Sequence, residues 1–321
     1  MRSVLSTLYF PRRALWTSRV DMLDRGAMSA QRLLTELLRK ASTYDVVVLD
    51  GAVGLSGGFV DRMAAVGIVR RRDGPLVVIT DATWGAGDGP LAHTVRRRLL
   101  STFDSARTTY CVLSTYEQAT FPGMWGVDPA RVAFTPFYWT LPMETPPLLS
   151  GNGGVFAGGD SLRDHATVLA AADELPALSL TLATRWRPDV PIPHWVRFGA
   201  VDPAQFTALM GDNSVVVVAL RPGLSRSAGQ QTYLNAMALG KIVIVTDSPG
   251  VHDHIDHGRT GLVVPPGDPS ALAVALRWAT DPGNAVATAA IGRQARDDAL
   301  SRFSPGAYIK RLLQVIDNAA V

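Results

Sequence analysis

The chain has 321 residues, of which 47% are hydrophobic and 18% charged, with a net charge of +3. This excludes a disordered chain and gives room for two domains of ordinary size. A single cysteine, Cys111, excludes an internal disulfide and makes a reduced, cytoplasmic setting the expectation. The amino-terminal apolar run breaks at Pro11-Arg12-Arg13, a poor secretory signal, and no apolar run is long enough to span a membrane. The net charge is +4 over residues 1–150 and −1 over the rest. That excess is too mild for the basic face of a nucleic-acid binder. The triplets Arg70–Arg72 and Arg96–Arg98 leave contact with an anionic substrate or a membrane periphery open, beside the plainer reading of solvated helix ends.

In chain order, Ser3–Tyr9 reads as a strand and Ser29–Ala41 as a helix with Leu33, Leu34, Leu37 and Leu38 on one face. Val46–Leu49 is a continuous apolar run, as a strand buried on both faces requires. Helix is expected over Phe59–Arg71 and Leu91–Phe103, strand over Leu76–Thr80, Tyr110–Leu113 and Val132–Thr135. Residues 141–154 (LPMETPPLLSGNGG) break both periodicities and read as a linker. The alternation then restarts. Strands are expected at 155–157, 179–183, 196–198, 215–220, 242–246 and 261–264, with helices at 164–174, 203–210, 231–239, 269–280 and two more at the end. The fold class is therefore α/β, with two doubly wound parallel sheets, divided near residue 145.

Several chemistries lack their signature. There is no GxxxxGK(S/T), HExxH or CxxC motif, and no two aspartates stand at i, i+2 as a sugar-diphosphate metal site often needs. Asp50–Gly58 is a glycine-bearing turn after a strand, but its GxxGxxG spacing departs from the dinucleotide fingerprint. His252, His254 and His257 fit a polar surface helix better than a metal site. The strongest segment is 215–269. There a buried strand enters a loop holding Gly223 and Gly229, which opens a helix near Gln230. Free N–H groups at a helix start attract phosphate, and Arg221 and Arg226 share the loop. An ordinary strand–helix crossover is the competing reading.

The runs NAMALGKIVIVTDSPG (235–250) and GRTGLVVPPGDPSAL (258–272) resemble the donor-binding domain of GT-B glycosyltransferases, family 4 in particular. Phe156–Asp164 resembles that family's first strand and phosphate loop, and WGVDPARVAFTPF (125–137) the close of its amino domain. The likeness is clear over 125–321 and weak before it. It implies two Rossmann-like domains, 1–145 for an acceptor and 146–302 for a nucleotide diphosphate-sugar, with a cleft between them. A terminal helix at 303–321 should return toward the first domain. It further implies glycosyl transfer with retention, with the sugar nucleotide as co-substrate, no separate cofactor and no metal. The diphosphate would lie on Gly159, Arg163, Arg221, Arg226, Gly229, Gln230, Gln231 and Thr232. The family's two glutamates fall at Ser227 and Asn235, the donor-sugar and ribose positions, and no glutamate follows Glu174. The family's glycine-rich turn after the first strand is replaced by Pro11-Arg12-Arg13.

Asp50 and Asp81 each end a buried strand and are the candidates for catalysis, Asp81 standing where the family places a histidine. Each could equally cap a helix or turn. His93, Asp21 and Asp24 are weaker candidates. Two other functions stay open: a GT-B epimerase of sugar nucleotides, and a non-catalytic sugar-nucleotide-binding partner.

Overall fold

The computed structural model describes residues 2–10, 12–52, 58–85, 87, 89–175, 177–189 and 191–319. The chain divides into two units, Met1–Pro136 with Gly306–Val321, and Phe137–Pro305. The first holds strands β1 (Val4–Ser6), β2 (Asp21–Met22), β3 (Val46–Asp50), β4 (Leu76–Thr80), β5 (Thr108–Val112) and β6 (Val132–Phe134). They form one sheet in the order β2-β1-β3-β4-β5-β6, every pairing parallel. Its helices are α1 (Ala14–Thr17), α2 (Ala30–Lys40), α3 (Gly58–Val69), α4 (Pro90–Ser101) and α5 (Thr115–Trp125). β3 and β4 are buried on both faces, which is why their sequences run apolar without alternation. α2 starts where Ser29 accepts from the Arg32 N–H at 3.3 Å and buries Leu33 and Leu37.

The second unit holds β7 (Val155–Gly158), α6 (His165–Asp173), β8 (Leu180–Ala183), β9 (Val196–Gly199), α7 (Pro203–Asp212), β10 (Val215–Val218), α8 (Gln230–Ala238), β11 (Ile242–Thr246), β12 (Leu262–Val264), α9 (Pro269–Thr280) and α10 (Ala285–Arg302). Its parallel order is β12-β11-β10-β7-β8-β9, the arrangement of a nucleotide-binding doubly wound sheet. Val216 and Val218 pack on one face with Phe156 and Tyr233. Val215 and Val217 pack on the other with Val155 and Ile244. The last helix, α11 (Pro305–Asn318), lies against the first unit. There Arg2 donates to the Ile316 carbonyl at 2.9 Å and Arg19 pairs with Asp317 at 2.8 Å.

The chain divides before the expected linker rather than within it. Residues 141–154 run along the second unit, where buried Lys241 donates to the carbonyls of Leu149 and Gly211. Arg296 donates to those of Pro146 and Pro147. Prolines break periodicity, but their carbonyls still accept, and these two distant cations supply the donors. Three further elements differ from expectation. β2 and α1 are too short to show a period, and α5 carries Pro122 inside it. His254 is buried rather than on a surface helix. Its Nδ1 lies 3.1 Å from the Tyr233 hydroxyl, its ring 4.8 Å from Phe303, and burial pulls its pKa down to about 4.

Gly51 sets how β3 hands over to the following loop. Its N–H donates to the Thr80 carbonyl at 2.7 Å, and a Cβ there would stand 2.3 Å from that oxygen and 2.9 Å from Ile79 Cγ2. The backbones approach too closely for any side chain. Gly51→Ala is expected to cost ~1–3 kcal/mol by overpacking, read as a lowered first transition in calorimetry; an unchanged transition would refute the constraint.

Candidate functional site

In the second unit, β7 leads to β8 on one side while β10 lies on its other side, so strand order reverses between β7 and β10. Ligands of doubly wound sheets bind at the carboxyl ends beside that reversal. After β7 the chain turns at Gly159 with φ +95° and passes through Leu162 at φ +57°. Arg163 then pairs with Leu220 across the two loops. The Arg221 N–H donates to the Leu162 carbonyl at 3.1 Å and the Asp164 N–H to Ala219 at 3.0 Å. The two loops are thus zipped together.

This zip buries the Arg163 guanidinium. Nε donates to the Gly158 carbonyl at 3.1 Å, one Nη to the Ser161 carbonyl at 2.9 Å and the other to Thr232 Oγ1 at 3.0 Å. Only 9% of the residue is exposed. All three acceptors are neutral; the Asp160 carboxylate, itself paired with Arg185, acts on the guanidinium only at longer range. Burial pulls its pKa down to about 10, so the group stays cationic at neutral pH. A guanidinium has five N–H donors, and a buried charge without a counter-charge is costly unless an anion completes it.

Beside it begins α8. Its first residue follows Gly229 at φ +76°, with no side chain capping the helix. A Cβ on Gly229 would meet Val218 Cγ1 at 2.7 Å and lie 3.5 Å from Arg163 Nη1. Only glycine lets the helix start sit against both the strand and the guanidinium. The loop opposite is pinned by Asp160, which accepts from Thr184 Oγ1, the Arg185 N–H and Arg185 Nε, each at 2.8 Å. His165, which sequence reasoning passed over, donates Nε2–H to the Gly159 carbonyl at 2.7 Å. Burial lowers its pKa, so the ring is neutral.

Gly159, Arg163, Gly229, Gln230 and Thr232 therefore come together. Arg221 backs them, its Nε reaching the Arg163 carbonyl at 3.3 Å. Arg226 is half-buried upstream and donates to the carbonyl of buried Ser227 at 3.3 Å. Gln231 and Asn235 turn elsewhere. The Asn235 amide oxygen accepts from the Thr140 N–H at 2.7 Å, and the Asn235 and Gln231 amides donate to Thr140 Oγ1 at 3.3 and 2.8 Å.

In the first unit the order reverses between β1 and β3. That position is filled by charge that the sequence did not reveal. Arg25 pairs with the almost fully buried Asp61 and donates to Thr7 Oγ1 at 3.0 Å, while Thr7 Oγ1 donates to Asp61 at 2.6 Å. Asp50 joins through Arg25 at 3.6 Å, and its Oδ1 accepts from the Ala52 N–H at 2.9 Å. The rest of the glycine-bearing turn, residues 53–57, and Pro11 lie outside the described residues. Burial raises the Asp61 pKa to about 6 against the opposing pull of Arg25 and Thr7.

Asp81 follows β4 at φ +50°, strained for a residue with a Cβ. Trp84 holds its loop, donating Nε1–H to the Gly51 carbonyl at 2.7 Å while packing 6.0 Å from both Phe103 and Tyr110. Asp81 Oδ1 is buried with no hydrogen-bond partner among the described residues. Burial first, then the Asp50 and Glu117 carboxylates, push its pKa up to about 7. Glu117 was also missed, although Ser114-x-x-Glu117 reads as a capping box, with Ser114 accepting from the Glu117 N–H at 3.0 Å. The weaker candidates serve local structure: His93 faces the Met124 carbonyl at 2.9 Å, Asp21 accepts from Tyr44, and Asp24 from the Gly26 N–H.

Residues 164–281 match the family model described as Glycosyl transferases group 1. Among solved structures, HepE of Anabaena in complex with UDP-glucose aligns at 14% identity with a TM-score of 0.70, covering 99% of this chain and 100% of that one. Sucrose-phosphate synthase of Thermosynechococcus elongatus aligns at 18% identity with a TM-score of 0.64, covering 93% and 82%. A glycosyltransferase of Rickettsia africae aligns at 12% with a TM-score of 0.64, covering 94% and 84%. No curated protein sequence matches the chain. The fold is that of the GT-B glycosyltransferases.

The Arg25–Asp61 pair carries a pH-dependent test. A carboxyl whose folded pKa is raised stabilises most below its unfolded value, and that contribution is lost as pH rises through the folded value, here about 6. Arg25→Ala removes the cation from the buried carboxylate. It should cost ~3 kcal/mol at pH 8 and clearly less at pH 5, where Asp61 protonates. Urea unfolding showing equal losses at both pH values would refute the pairing.

Proposed function

We propose that this GT-B chain transfers a glycosyl group from a nucleotide diphosphate-sugar to an acceptor, with the diphosphate held in the second unit. The observation that carries this reading is Arg163: a buried cation, satisfied only by neutral oxygens, set against the open start of α8 at the strand-order reversal. Two donors of its fork stay available, and a helix start adds N–H groups and a positive dipole end. A diphosphate supplies the missing negative charge. Its charge rises as the glycosidic bond breaks, so the same groups favour the transition state over the bound donor. Arg221 and Arg226 add positive potential at the rim of this loop.

The donor is bound without a metal in this reading. Arg163 and the start of α8 take the part of charge neutralisation that a divalent cation would otherwise supply. The family resemblance favours retention of configuration. HepE binds UDP-glucose, which makes UDP the first nucleotide to try here.

Asp81 is proposed as the group acting on the acceptor or the sugar. Its pKa of about 7 suits a proton acceptor at neutral pH, and its unsatisfied Oδ1 seeks a donor such as a hydroxyl. Asp50 sustains this setting, its negative charge keeping the Asp81 carboxyl basic.

Two measurements test the assignment. Calorimetry of UDP against uridine, in excess chelator, should show Arg163→Ala weakening UDP roughly 10- to 100-fold while leaving uridine almost unchanged. Equal UDP affinity in both proteins would remove Arg163 from the site, and UDP binding without any turnover would favour a non-catalytic role. Asp81→Asn should lower turnover ~10²- to 10⁴-fold with UDP affinity retained. In the native protein the rate should rise with pH through about 7, because the base works as carboxylate. A few-fold loss with the same profile would move the role away from Asp81.

A further inference from the structure

α4 is amphipathic in an unusual sense. Its inward side buries Leu100, while Leu91, Val95 and Leu99 stand 78%, 58% and 50% exposed. At 3.6 residues per turn, positions i, i+4 and i+8 fall in a stripe roughly 80° wide, on the side away from Leu100. Arg98 lies on one border of that stripe; exposed Arg96 stands past Ala92 on the other side, one Nη donating to the Gly85 carbonyl at 2.6 Å, and the helix PLAHTVRRRLLS contains no acidic residue. A solvated helix has no reason to hold such a stripe, since large exposed apolar groups set in a row are a liability.

The neighbouring helices extend the surface. α3, α4 and α5 each connect a strand to the next one along the same sheet, β3 to β4 to β5 to β6. Right-handed crossovers in one direction place all three helices on one face, running parallel. Each therefore starts at the carboxyl edge of the sheet, and each shows a large apolar side chain in its first turn: Phe59 at 63%, Leu91 at 78% and Tyr116 at 41% exposed. Met63, one turn after Phe59, adds 44%. Phe59, Met63, Leu91, Val95, Leu99 and Tyr116 thus share one face of the first unit. No helix among the described residues is long and apolar enough to cross a membrane, so the surface is suited to lie on a bilayer and not to enter it.

We propose that this face of the first unit docks on an anionic membrane surface, the apolar stripe of α4 dipping into the headgroup boundary with Arg96 and Arg98 on lipid phosphates. The charge decides the occupant: an apolar stripe bordered by arginines is the pattern of a helix lying in an anionic interface, whereas a second copy would bring the same arginines against themselves. The proposal stands independently of the transferase reading, since it uses none of the diphosphate or Asp81 groups.

Flotation of the full chain with vesicles tests it. Wild type should partition onto phosphatidylcholine vesicles holding about 30% phosphatidylglycerol and not onto phosphatidylcholine alone, and the binding should weaken as salt screens the charge. The double variant Leu91→Asn, Val95→Asn should lower the partition coefficient about ten-fold through lost apolar burial. Arg98→Glu should lower it about ten-fold or more. These positions are exposed, so melting temperature and UDP affinity should stay at the wild-type level and separate lost docking from lost folding. Absence of wild-type binding to the anionic vesicles would overturn the proposal. So would unchanged binding by the double variant. A wild-type dimer that the double variant dissociates would place a second copy on the face instead, and would equally overturn it.

Discussion

An arginine buried without a carboxylate is the constraint around which the second unit is arranged. Arg163 is costly where it lies, because a guanidinium taken from water demands replacement of its lost solvation. Three neutral oxygens recover part of that cost, and the recovery dictates the surroundings. Gly158 and Ser161 must present carbonyls, so the loop bends through left-handed backbone at Gly159 and Leu162. Thr232 must present a hydroxyl, so α8 must begin at Gly229, close to the end of β10. The zip between the two loops follows from the same demand, since it carries Arg163 under the start of α8. What is left over is positive charge and unused donors in one place.

The first unit solves the equivalent position in the opposite way. Its strand-order reversal is occupied by Arg25 and Asp61, a pair that nearly cancels, tied to Thr7. A cancelled pair offers little to a phosphate. The remaining negative charge of Asp50 is passed on to Asp81, where burial already disfavours the carboxylate. One unit thus presents a guanidinium hydrogen-bonded only to neutral oxygens, with the Asp160 carboxylate acting on it at longer range, and the other a carboxyl held near its titration point.

Much of this architecture was legible in the sequence because its cause is local. β4, β11 and α9 match their expected ranges, since runs such as Leu76–Thr80 and Ile242–Thr246 are apolar throughout and Asp268 caps Pro269–Thr280 by accepting from the Ala271 N–H. The turn after β7 and the start of α8 were legible because glycine marks required backbone, at Gly159 and Gly229. The Thr7–Arg25–Asp61 cluster was not, because its members lie 18 and 36 residues apart and only the sheet order unites them. The role of Lys241 and Arg296 in holding residues 146–149 escaped for the same reason: a carbonyl accepts whatever its side chain, so no local pattern records the bond.

The loop between β10 and α8 shows what replacing acidic residues does to such a site. The resemblance places glutamates where this chain has Ser227 and Asn235. A carboxylate at either position would stand in the loop or the helix that Arg163 underlies, and would draw on the same positive charge. With serine buried at 227 and the Asn235 amide spent on Thr140, no acid of this loop competes for that charge. In the proposed reading, the charge of Arg163 is then balanced chiefly by the anion that binds. If the proposed donor binds here, selectivity shifts accordingly, away from charged contacts with sugar or ribose hydroxyls and toward the diphosphate itself. In the proposed reading such a site recognises its donor by the group that leaves, and its discrimination among sugars comes from neutral contacts, which distinguish less sharply than a carboxylate does.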